Sequence, residues 1–114
     1  MRVLPVDERD SSWEDHEPRF RVYLFTGSGP FTVTTTDILD ADVLQVARWA
    51  QLQAGSDAMY AVALVGETRP NGPPSRGLTW LIGMDAHDLP SSPNEERTLA
   101  RMRVRKGLVV VLDE

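Results

Sequence analysis

The alternation of apolar and polar positions divides the chain into punctuated segments. Phe20–Thr26 (FRVYLFT) is rich in aromatic and β-branched residues, and Phe31–Thr36 (FTVTTT) alternates before dissolving into threonines. Both predict strands, and Gly27-Ser28-Gly29-Pro30 between them predicts the turn of a β-hairpin. A phosphate-cradling loop would need these glycines to lead into a helix, whereas here they lead into a strand.

The clearest helical signal runs from Asp37 to Gly55. Asp37 or Asp40 can cap the N-terminus, Asp42 adds acid to the first turn, and Gly55 stands just past the end. Val43, Val46, Ala47, Ala50 and Ala54 fall on one face, a narrow small-residue stripe suited to close packing on a sheet. Trp49 and Leu52 lie roughly 120° and 180° round from Val43, at about 100° per residue. They require either cover from the N-terminal segment or a place in a partner or dimer surface, where tryptophan is enriched.

Two further runs, Ala58–Gly66 and Leu78–Met84, predict strands. The first is apolar nearly throughout, as in a mid-sheet strand covered on both faces. Their connector, residues 67–77, holds three prolines and two glycines and is expected to lack regular structure. Ser92, Pro93 and Glu95 match the cap, N1 and N3 positions of a capping box, which predicts a helix to about Lys106 with Gly107 as its stop. The alternation from Arg101 to Arg105 keeps a strand open as the other reading of residues 98–106. Leu108–Leu112 then predicts a closing strand.

The resulting order is β-β-α-β-β-α-β, with room for a short strand at Arg2–Val6. It implies the α+β class: a single domain over residues 1–114, a mostly antiparallel sheet with two helices packed on one face. Residues 1–17 form an acidic segment that is either flexible or docks on the rest.

Composition narrows the function. At 114 residues, 41% of them hydrophobic and 25% charged, the chain suits one globular core. No window approaches the roughly 18 apolar residues of a membrane helix, and the acidic start argues for a cytoplasmic protein. The absence of cysteine excludes disulfides, thiolate catalysis and zinc-finger chemistry. Twelve basic residues include a single lysine, which fits a high-GC bacterial genome and carries no functional weight. Residues 1–17 hold six acids against two arginines, or −4 of the total −5, while residues 95–106 hold five bases against two acids, or +3. The two segments are either solvated or paired, within the chain or across a dimer. An acidic protein with so short a basic cluster is a poor match for nucleic acid.

The nearest approach to a chemical motif is GMDAHDLP, residues 83–90. Asp85 and His87 would share one side at a strand end, with Asp88 on the turn, an arrangement that could orient an imidazole for proton transfer or help hold a metal. His16, among the acids of residues 13–17, would complete an N/O ligand set if that segment folded over the strand end. The plainer reading is the polar exit of a strand. Arg69 and Arg76 flank the proline-rich loop and could receive an anion. There is no nucleophile elbow, Walker or dinucleotide fingerprint and no HExxH helix, so no cofactor is implied. The expectation is a non-catalytic protein-interaction or regulatory module, a homodimer acting through Trp49, Leu52 and Trp13, with an inhibitor or immunity-type protein as one concrete form. The alternative is a small-molecule- or metal-binding protein or enzyme using Asp85, His87 and Asp88.

Overall fold

The computed structural model describes residues 1–27, 30–68 and 75–106. The hairpin β1 (Arg19–Thr26) and β2 (Thr32–Ile38) is followed by α1 (Val43–Ala54), the hairpin β3 (Ala58–Thr68) and β4 (Ser75–Ile82), and α2 (Pro93–Arg105). The strands lie in the order β2-β1-β3-β4, every neighbouring pair antiparallel. The α+β class and the order β-β-α-β-β-α are therefore as expected. The anticipated closing strand at 108–112 and the Gly107 stop of the second helix lie outside the described residues, as does Arg69.

Successive strand residues point to opposite faces, so the register separates two cores. On one face Phe20, Val22, Tyr60 and Val62 meet Val46, Ala50 and Ala54 of α1. The small residues of the helix stripe let its backbone approach the large side chains of the sheet. On the other face Phe25, Met59 and Ala61 meet Met84, Ala86 and, from α2, Leu99 and Met102. The second helix thus packs against the face opposite α1, which corrects the expectation of both helices on one side. The continuous apolar run of β3 is the cause: it is the strand that both helices contact, and it must be covered from both sides.

Three local expectations also change. Residues 2–6 form no strand; the N-terminal segment is exposed, with a short 3-10 turn at Glu8–Asp10. Helix α1 starts later than its first acids suggested, because Asp37 and Ile38 complete β2, and Asp42 is the cap within a full capping box with Gln45. The connector 67–77 is shorter than its composition implied: Gly66, Glu67 and Thr68 pair with Gly77, Arg76 and Ser75, extending the hairpin. In α2, Ser92 caps the Glu95 amide at 3.1 Å, but the Glu95 carboxylate turns to the Ser91 hydroxyl at 2.6 Å, so only half of the predicted box forms. Residues 98–105 are helical.

Candidate functional site

The histidine motif is occupied with loop closure. Asp85 Oδ1 accepts the His87 amide at 2.9 Å and the Asp85 carbonyl accepts the Asp88 amide at 3.1 Å, which folds residues 85–88 into a turn. The His87 ring stacks on Phe31 with centroids 6.2 Å apart and meets the edge of Phe25 at 6.0 Å. Its Nε2 lies 3.0 Å from the Phe31 carbonyl, which can only accept, so this nitrogen carries the proton and donates. His87 therefore ties the β4–α2 connection to the start of β2.

His16 lies at the other end of that strand. It pairs with Glu14 at 3.1 Å and lines a hollow with Leu39–Asp42, beyond the last residue of β2. A seven-residue strand, about 20 Å long, separates it from His87. The two histidines are not brought together. Among the described residues no cluster of three or more ligand-type side chains could hold a metal. Arg76 faces Glu67 across the β3–β4 pair at 3.6 Å. Trp13 stands exposed in the N-terminal segment.

Two surfaces carry more. The first surrounds α1. Trp49 is half-buried against the first core and, with Ile38, Leu39, Ala41 and Val46, lines an apolar hollow of about 420 Å³. It is thus covered by the end of β2 and the connection to α1. Leu39, Ala41 and Gln45 also border a second hollow, of about 610 Å³, that holds Asp15, Glu17, Asp40 and Asp42. Asp40 sits at φ 57°, a left-handed conformation that aspartate tolerates better than most residues. Outward from these hollows α1 shows Leu44 and Leu52, 64% and 62% exposed, on a helix whose only charge is Arg48.

The second surface is a groove of about 590 Å³ between the end of α1 and α2, lined by Tyr60, Thr98, Arg101 and Arg105 and by Trp80–Gly83. Sequence reasoning registered these arginines only as part of a basic cluster. Their spacing of four residues on a helix was the available signal; the partner that gives it meaning, Tyr60, lies 41 residues away from Arg101 in the chain.

Among the described residues no helix is long and apolar enough to cross a membrane. No protein-family model matches the chain, and no curated protein or solved structure shows significant similarity to it.

Proposed function

We propose that the chain is a protein-interaction module that acts by docking rather than by catalysis, and that it presents the outer side of α1 with the two adjoining hollows to its partner. One observation supports this above the others: an exposed leucine pair stands on a nearly uncharged helix whose Gln45, next to Leu44 in the chain, borders a hollow containing four carboxylates. A solvated helix normally turns charge outward, and apolar surface rimmed by polar residues marks contact sites. The complementary partner is a protein offering an apolar anchor beside lysine or arginine. An inhibitor of immunity type, neutralising a basic site, is the concrete form of this reading. A cytoplasmic setting belongs to the same proposal.

A second reading, a homodimer through α1, is favoured by the row Leu44, Arg48, Leu52, since leucines at either end of such a row can meet their counterparts on an antiparallel copy. Both readings are tested by a photo-crosslinking residue placed at Leu44 or Leu52, with Arg103 on α2 as control. A discrete adduct with another protein from the native host is expected at the first two positions only, and Glu17→Lys with Asp40→Lys is expected to abolish it. An adduct with a second copy of the chain transfers the surface to the dimer. Equal labelling at Arg103, or no adduct at all, removes the proposal.

A further inference from the structure

In a protein of net charge −5, the groove beside α2 has no acidic residue in its lining among the described residues. Thr98, Arg101 and Arg105 lie on one face of the helix at spacings of three and four residues. The Arg101 guanidinium donates to the Thr98 hydroxyl at 3.2 Å, which fixes its direction. Among the described residues neither Arg101 nor Arg105 has an ion-pair partner. The groove also takes in Tyr60, only 4% exposed, whose hydroxyl is buried and has no hydrogen-bond partner among the described residues. Burial raises its pKa, against a smaller opposing effect of the Arg105 charge, so the phenol remains a neutral donor at ordinary pH.

A buried hydroxyl with nothing to bond is costly, and a lasting exception calls for a group that the fold itself does not supply. Two guanidiniums lining one groove, with no carboxylate beside them among the described residues, call for the same group. The volume lies in the range of small-ligand sites, about 300–1,000 Å³. The residues Leu81 and Ile82 give the groove an apolar wall beside its polar end.

We infer that this groove binds a small molecule bearing an oxyanion, a phosphate monoester or a carboxylate, held by Arg101 and Arg105 with Tyr60 as a neutral donor, while Thr98, whose own proton goes to the Asn94 carbonyl at 3.0 Å, orients Arg101. It is a site separate from the α1 surface, and its occupancy does not depend on a protein partner.

The test is an NMR titration of the full chain with inorganic phosphate and, separately, with succinate, and sodium chloride at matched ionic strength as control. Saturable shifts of the Arg101 and Arg105 Nε–Hε signals and of the Tyr60 and Thr98 amides are expected with at least one of the two anions. The one that binds tighter tells phosphate from carboxylate. Arg101→Ala with Arg105→Ala is expected to weaken binding about tenfold, the loss typical of charge-assisted hydrogen bonds. Arg97→Ala with Arg103→Ala, the same charge removed from the same helix outside the groove, is expected to change it by less than about twofold. Tyr60→Phe, which removes a single unbonded oxygen and keeps the packing, is expected to weaken it severalfold. Shifts that never saturate, shifts equalled by chloride, or equal weakening in the two double variants overturn the site.

Discussion

Asp37 joins two arginines that alternation places on its own side of the sheet. It sits opposite Arg21 in the β1–β2 register, and Arg19 lies two positions along the same face. Arg21 Nε reaches Asp37 Oδ1 at 2.6 Å and Arg19 Nε reaches Oδ2 at 2.7 Å. The hydrogen bond from Arg21, opposed by partial burial and aided by Arg19, holds the Asp37 pKa at about 2. A carboxylate depressed in the folded state stabilises the fold above its unfolded pKa, and that contribution is lost as pH falls from about 4 toward 2. With the Arg19 arm partly exposed, it is on the order of 1 kcal/mol. Asp37→Asn should therefore lower stability in urea by about that amount at pH 7, and the difference from wild type should shrink toward zero near pH 2. Gly83 supports a second expectation at this scale. Its φ is +76°, and a Cβ there would meet the Ala61 Cβ and the Met102 Sδ, each at 3.1 Å. Strain and overpacking add, so Gly83→Ala should cost about 1–3 kcal/mol in chemical denaturation. Gly66→Ala, with open space at its Cβ, should cost less than about 1 kcal/mol.

The two helices differ in how they are held. Helix α1 buries Val46, Ala47, Ala50, Gln51 and Ala54 and has both halves of a capping box, whereas α2 buries only Leu99 and Met102. Helix α2 should accordingly open first: its amides should exchange with solvent at a lower free energy than those of β1 and β3. Met102→Ala should remove about 2–4 kcal/mol and, in hydrogen exchange, lower α2 protection more than that of the α1 face. The same contrast decides what could be read in the sequence. The main strands, the Ser92 cap and the part of the α1 stripe within residues 46–54 were legible because each is a local pattern with a period or a fixed spacing, whereas the α1 cap fell at Asp42 rather than at Asp37 or Asp40, and Val43 is exposed. The seat of α2 was not, since its two buried residues make a stripe too thin to indicate a direction. The information lay in β3, whose unbroken AMYAVALV run demanded cover on both faces. The candidate sites followed the same division: the turn around His87 was legible as a strand exit, while the Tyr60 groove depends on a contact between elements remote in the chain.

Across the whole molecule the two charged segments stay apart. Among the described residues no ion pair joins residues 1–17 to residues 95–106; the acids of 15–17 border the hollow at the start of α1, and Arg101 and Arg105 border the groove at its end. Without such pairing, the N-terminal segment has little with which to stabilise the fold. Residues 1–14 are exposed throughout, Trp13 at 79%, and none enters either core. They carry four acids and two arginines, so deleting them takes the net charge from −5 to −3 and relieves some self-repulsion. Removing exposed chain that buries no apolar area should shift Tm by less than about 2 °C, and amide spectra of residues 19–106 should superpose on those of the intact protein. Residues 15–17 remain in such a truncation, so the acidic hollow survives it. If the α1 surface is where a partner docks, the shortened chain should still give the Leu44 adduct. A lost adduct with an unchanged spectrum would instead put Trp13 and its neighbours in the contact.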